Sequence, residues 1–361
     1  MRAAIMTELP TTALVVADDV ELRPIQPGEV QIKVAHSGIC HSDLSIMNQT
    51  LPGTQPPAVL GHEGAGVVTD VGDGVEHVTL GDHVVIAFSP PCGACPSCNE
   101  RAQANLCITG TLTMMAHEQF VWNDQTVGSM AGCGTFAEET IVPGIAAIKI
   151  PSDVPLDVAA LVGCGVTTGV GGALNAAKVA SGSSVAVIGC GGVGVAAIQG
   201  ARIAGASAIV ALDLHEGKLD MAKQLGATHS ATPDQIEDVK QELTAGEGFD
   251  YVIEAIGIGA TMRQALDLTR RGGTTCVLGA GNPEDTFSIN AFEQFFNNKT
   301  LVGSWYGSVD VRTDFNRFLD YYRNGELDLE GMISRRLSID EVNDGLDALG
   351  DPAVVRQIID Y

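Results

Sequence analysis

The chain has 361 residues, with 44 Asp and Glu against 20 Lys and Arg and a formal net charge of −24. Without a basic cluster such a chain repels a phosphate backbone, which argues against nucleic acid, while its length and 45% hydrophobic content suffice for two cored domains. The most apolar segment, 185–198, holds four glycines and is followed by Gln199 and Arg202, so no membrane span is expected; Glu8 and Pro10 break any leader, and nine cysteines in a chain expected to be cytoplasmic point to metal ligation rather than disulfides.

Residues 1–35 alternate in short runs such as Ala3–Met6 and Val30–Val34, separated by Pro24, Pro27 and Gly28. This predicts a small, mostly antiparallel β domain. A helical turn is expected at Cys40-His41-Ser42-Asp43, which offers a thiolate, a hydroxyl and an acid. His62 follows with Glu63 beside it, and Cys164 lies far downstream. A Cys, a His and a second Cys leave one position of a tetrahedral zinc open, the catalytic arrangement. The competing reading is two small buried cysteines with no ligand. Residues 67–72 and 83–87 continue the strand pattern. Cys92, Cys95, Cys98 and Cys107 can fill all four positions of a second, structural zinc. Residues 108–130 read as a long polar loop, and 151–161 as a linker entering a helix.

From Ser184 the pattern changes. The apolar run 185–188 is followed by Gly189-Cys190-Gly191-Gly192-Val193-Gly194 opening a helix, and then by the run 209–212 and Asp213, nineteen residues beyond Gly194. Strand, glycine turn, helix, strand and acid in this order form a dinucleotide-binding unit. Gly189 permits the turn, Gly191 the approach of a pyrophosphate, and Gly194 close packing of helix on strand. Asp213 would accept from both ribose hydroxyls and repel a 2′-phosphate, so NAD is expected over NADP. Runs at 251–255 and 275–279 predict the second half of a doubly wound parallel sheet, and helices are expected over 315–323 and 339–349.

Taken together, Gly61-His62-Glu63-Gly64-Ala65-Gly66 and Gly163-Cys164-Gly165 with Thr167-Thr168-Gly169 make the chain resemble the medium-chain, zinc-dependent alcohol dehydrogenases. The resemblance implies an α/β protein, with a Rossmann domain at 166–305 and a discontinuous, β-rich, GroES-like catalytic domain at 1–165 and 306–361. It implies Cys40, His62 and Cys164 on the catalytic zinc, Glu63 as its neighbour, Asp43 orienting His62, and Ser42 taking the alcohol proton. His41 and Arg356 match the family's pyrophosphate contacts, Lys218 its adenosine-ribose contact, and Val193 and Thr168 its nicotinamide neighbours. Leu51, Phe88, Ala131 and Leu278 match its pocket wall, Leu278 also lying beside the cofactor. Two departures stand out: Ser45 occupies a position where the relay often has histidine, and Cys98 and Cys107 are separated by eight residues where seven is usual. The expected activity is alcohol oxidation with two zinc ions and NAD, on an apolar medium-chain or aromatic primary alcohol, in a homodimer or homotetramer. A thiol–formaldehyde adduct dehydrogenase, which typically carries an acid where Leu51 sits, is one alternative. A branch that holds NAD permanently is another, and a zinc- and NAD-binding sensor without turnover is the third.

Overall fold

The computed structural model describes residues 1–361 and contains three sheets. Two are mostly antiparallel and come from the two ends of the chain. At the centre of one lies the long strand Glu29–Ile39, flanked by Glu63–Val71 and by the C-terminal strand Arg356–Asp360. Gly38 therefore stands opposite Glu63 on one side and Ile358 on the other. This register brings residues three hundred positions apart to one point, immediately before Cys40.

The third sheet is wholly parallel, in the spatial order His229–Ala231, Ala208–Leu212, Ser184–Ile188, Phe249–Glu254, Thr269–Val277, Thr300–Gly303. Numbered along the chain, that order is 3-2-1-4-5-6, the doubly wound arrangement expected from the sequence. Its switch point lies between Ser184–Ile188 and Phe249–Glu254, where Ile188 is level with Glu254. The next residue, Gly189, has φ +90°, a value that penalises any side chain. A Cβ on Gly194 would strike the carbonyl of Gly189, so helix Gly192–Ile203 can sit on its strand only with glycine there. One apolar core runs from the strands of the β-rich part through helices Leu156–Val162 and Gly165–Gly171 into the parallel sheet. No single helix is long and apolar enough to cross a membrane.

The expected loop at 108–130 is regular instead. It contains helix Ile108–Met115 and a hairpin of Phe120–Trp122 with Gln125–Ser129. Threonine lowers helix propensity, which masked the helix; here Thr111 and Thr113 hydroxyls donate back to the carbonyls four residues earlier, and Cys107 Sγ caps it by accepting from Gly110 N–H at 3.3 Å. The hairpin turns on Asn123 and Asp124, both at positive φ (52° and 57°), as a two-residue type I′ connection needs. The later helices also shift. One spans Val311–Arg323 because Asp310 caps it, and the other is short, Val342–Asp347, between single turns of tighter helix.

Candidate active site and metal centres

Four side chains converge where the strands end: the ligand atoms of Cys40, His62, Glu63 and Cys164 all lie within 4.8 Å of one another. Cys40 follows strand Glu29–Ile39, His62 precedes Glu63–Val71, and Cys164 joins the two helices that bridge the halves of the molecule. Asp43 is fully buried and accepts three donors: Cys40 N–H at 2.9 Å, Gly61 N–H at 3.1 Å and His62 Nδ1 at 3.4 Å. That leaves His62 Nε2 free to bind a metal. The Cys40 and Cys164 sulfurs share this buried pocket, and their proximity holds Cys40 well below its ordinary pKa and pushes Cys164 well above its own. Two sulfurs sharing one proton in a buried pocket with an imidazole is a donor set that a divalent, thiophilic cation satisfies by replacing that proton. Zinc fits it.

The second cluster, Cys92, Cys95, Cys98 and Cys107, is also within 4.8 Å throughout. Sulfurs of Cys95 lie 3.5 Å from Cys98 and 3.6 Å from Cys107. A tetrahedron with zinc–sulfur bonds of about 2.3 Å has edges of about 3.8 Å, so the cluster is close to the right size. Backbone N–H groups of Cys92 and Gly110 donate to Cys107 Sγ, and that of Ala94 to Cys92 Sγ, lowering the Cys92 thiol to about 6. Between Cys98 and Cys107 the eight-residue spacing is taken up in a turn through Ala102, at φ +50°.

Around the catalytic cluster, Ser42 Oγ lies 3.7 Å from Cys40 Sγ, placed to donate to the thiolate. Buried Arg356 ion-pairs with Glu63 and passes over Gly192, so it reaches from the metal cluster to the glycine turn. A Cβ on Gly38 would collide with this pair. His41 is held below its ordinary pKa chiefly by partial burial, with the charges of Lys218 and Arg356 adding to the effect against that of Cys40, so a neutral imidazole stands near two cationic side chains. A Cβ built on Gly191 meets nothing within 4 Å, leaving the open cradle a pyrophosphate needs. Asp213 closes the far end; its oxygens accept Cys190 N–H at 2.8 Å and His215 N–H at 3.0 Å. Thr168 is buried, Val193 is half-buried beside Gly169, and Leu278 packs on Gly172.

Of the expected wall residues, Leu51 and Ala131 pack against one apolar cluster of the β-rich part, and Leu278 belongs to the core shared with the parallel sheet. Phe88 stands edge-on to His62 at 5.7 Å. Leu51 lies farther out, in a cavity of about 400 Å³ between Ile46, Gln49, Gln55, Asn282 and Glu284. Ala131 is half-buried at φ +48°. Sequence reasoning notes Trp305 and Tyr306 only as part of a segment, 304–307, that resembles the thiol-adduct branch, and does not place them beside the site. The Tyr306 ring lies 4.0 Å from Phe88 and its hydroxyl donates to the carbonyl of Gly163, next to Cys164. An aromatic pair directly after the last apolar run was the available signal.

Residues 26–152 match the family described as alcohol dehydrogenase GroES-like domain, and residues 192–324 that of zinc-binding dehydrogenase. An S-(hydroxymethyl)glutathione dehydrogenase of Synechocystis sp. is 36% identical over 371 aligned positions, covering 100% of this chain and 99% of the relative. The crystal structure of an alcohol dehydrogenase zinc-binding domain protein from Burkholderia ambifaria superposes with a TM-score of 0.93 at 28% identity, covering 100% of this chain and 98% of that one. Benzyl alcohol dehydrogenase from Acinetobacter calcoaceticus gives 0.91 at 28% identity, covering 100% and 99%.

Proposed function

The chain belongs to the medium-chain, zinc-dependent alcohol dehydrogenase family, and from that premise we propose that it oxidises apolar medium-chain or aromatic primary alcohols with NAD. The observation that carries this reading is the ring of Phe88 set against His62, with Tyr306 behind it: the space beside the metal ligands is walled by hydrocarbon. Such a wall has nothing to pair with a carboxylate near the reacting carbon.

Bound zinc supplies a Lewis acid, which for water lowers the pKa from about 15.7 to about 7, and bound NAD supplies the hydride acceptor. The remaining work belongs to the chain. Asp43 fixes the tautomer and plane of His62. Ser42 Oγ, beside Cys40, receives the substrate hydroxyl's proton and passes it outward. Arg356 and His41, the latter as a neutral hydrogen-bonding ring, contact the cofactor's pyrophosphate, while Lys218 and Asp213 engage its adenosine ribose. Phe88 keeps water from the reacting carbon.

A second reading is favoured by the curated relative: oxidation of a thiol–formaldehyde adduct. Against it, the residues lining the outer cavity include Glu284 and no Lys or Arg, so a carboxylate-bearing thiol finds no counter-charge there. Turnover of ethanol, hexanol, benzyl alcohol and S-(hydroxymethyl)glutathione with NAD decides between them. The expected order puts benzyl alcohol and hexanol above ethanol, by up to ~1 kcal/mol per methylene in kcat/KM along the aliphatic series. A flat series together with a much faster thiol adduct would transfer the assignment to the second reading. We further propose a homodimer or homotetramer, since Phe292, Phe295 and Phe296 are exposed beside edge strand Thr300–Gly303, where Leu301 also faces out.

A further inference from the structure

Trp305 follows the last strand of the parallel sheet and opens a turn in which Tyr306, Gly307 and Ser308 have φ of 53°, 66° and 53°. Half of its surface (50%) is open, unusual for so large an apolar side chain. Three contacts fix it. Its indole Nε1 donates to Ser89 Oγ at 3.3 Å, its carbonyl accepts from Asn105 Nδ2 at 3.1 Å, and its ring meets Phe88 edge-on at 6.0 Å. Asn105 is buried between Cys98 and Cys107. Ser89 is also buried, and its hydroxyl is 2.9 Å from that of Thr111, in the helix that Cys107 caps. Both polar partners of Trp305 therefore belong to the four-cysteine lobe, while its ring partner touches the catalytic histidine.

We propose that the four-cysteine lobe positions Trp305 through Ser89 and Asn105, and that the open face of Trp305, with Phe88, is the wall that selects aromatic alcohols. The proposal rests on the alcohol dehydrogenase reading for its substrate and on the hydrogen bonds alone for its positioning. The lobe has little core of its own; Leu106, Ile108 and Leu112 are exposed, so the thiolate cluster with its metal is what orders it. A side chain bonded to the lobe at two points inherits that order. A rigid aromatic wall rewards a flat ring that can stack or meet it edge-on, and ethanol is too small to span from the reacting centre to a residue one ring beyond Phe88. Trp305 is thus a specificity residue, and Ser89 and Asn105 are positioning residues.

The chain has two tryptophans. Trp122 lies in the hairpin, bonded to Asp19, so Trp122→Phe leaves Trp305 as the sole indole reporter. In zinc-loaded enzyme of this background, benzyl alcohol should change the Trp305 emission and ethanol should not. Trp305→Ala should raise KM for benzyl alcohol ~10-fold, the size of one aromatic contact, with kcat and the ethanol KM nearly unchanged; Trp305→Phe should recover most of it. Asn105→Ala should red-shift Trp305 emission and raise KM for benzyl alcohol without altering NAD affinity, and Ser89→Ala serves if that variant does not fold. Equal KM changes for benzyl alcohol and ethanol in Trp305→Ala would overturn the specificity role. Emission indifferent to both lobe variants would overturn the positioning role. Absence of NADH production from any alcohol by the parent enzyme would instead fell the alcohol reading, and the emission shift would still decide whether the lobe holds Trp305.

Discussion

Asp43 and Asp213 do their work through hydrogen bonds that only partly show in the sequence. Asp43 bonds Cys40 N–H locally, three residues back, a link first seen in the structure; its bond to His62 depends on strand pairing and was reached by resemblance alone. Asp43→Asn keeps the shape but cannot hold the imidazole as a charged acceptor does. Zinc affinity at the Cys40–His62–Cys164 site should fall 10–100-fold (as an order of magnitude, ~1.4–2.7 kcal/mol), measured by chelator competition, and an unchanged affinity would remove Asp43 from the site. Asp213 was legible by its distance from Gly194, but its brace on the glycine turn through Cys190 N–H was not. Wild-type enzyme should prefer NAD over NADP by ~100-fold or more, because a phosphate facing a partly desolvated carboxylate costs several kcal/mol. Asp213→Gly should lower that ratio and, through the lost brace, also raise KM for NAD. Comparable kcat/KM for both cofactors in the wild type would refute the assignment. The Arg356–Glu63 pair was invisible in the sequence, since it joins residues 293 positions apart across Gly38.

At the scale of elements, glycine-bounded apolar runs predicted the parallel sheet well, because buried parallel strands need nothing but such runs. Their two edges, His229–Ala231 and Thr300–Gly303, escaped notice; they are short and carry polar or exposed residues. The region 108–130 was misread because its order comes from elsewhere, from a sulfur cap and from a two-residue turn. The four-cysteine lobe and the catalytic cluster should accordingly fail in different ways. Cys95→Ser removes a thiolate from the cluster that orders its lobe, and should lower Tm by about 10 °C while reducing the zinc count by one. Cys164→Ser should leave a folded protein that binds NAD and does not turn over. Metal analysis of the wild type should give two zinc ions per chain; one ion, with Cys95→Ser no less stable than wild type, would show that the lobe holds none.

The whole molecule carries a charge of −24, and the arrangement of its cations determines what that does. Eleven of the 20 Lys and Arg already pair with carboxylates, among them Arg23 with Glu29 at 2.6 Å, Arg270 with Asp250 at 2.7 Å and Lys149 with Asp82 at 2.8 Å. The carboxylates in excess have only each other at longer range. Folding gathers them onto one surface, and the unfolded chain lets them separate, so the repulsion destabilises the native state. Added salt acts on the two effects unequally. The Debye length falls from about 30 Å at 0.01 M to about 8 Å at 0.15 M, which removes repulsions spanning the molecule. Pairs in direct contact sit inside either length and lose little, and exposed ones contribute only about 0–1 kcal/mol each to begin with. Repulsion should therefore lose more than attraction. We expect Tm to rise by several degrees between 10 and 150 mM NaCl at pH 7, and to gain less between 150 and 300 mM, where the screening length changes little. Sodium chloride is the appropriate salt, because sulfate would also strengthen apolar burial and blur the comparison. A Tm that falls over the first interval would mean that the paired cations, not the unpaired carboxylates, dominate the electrostatics of this fold.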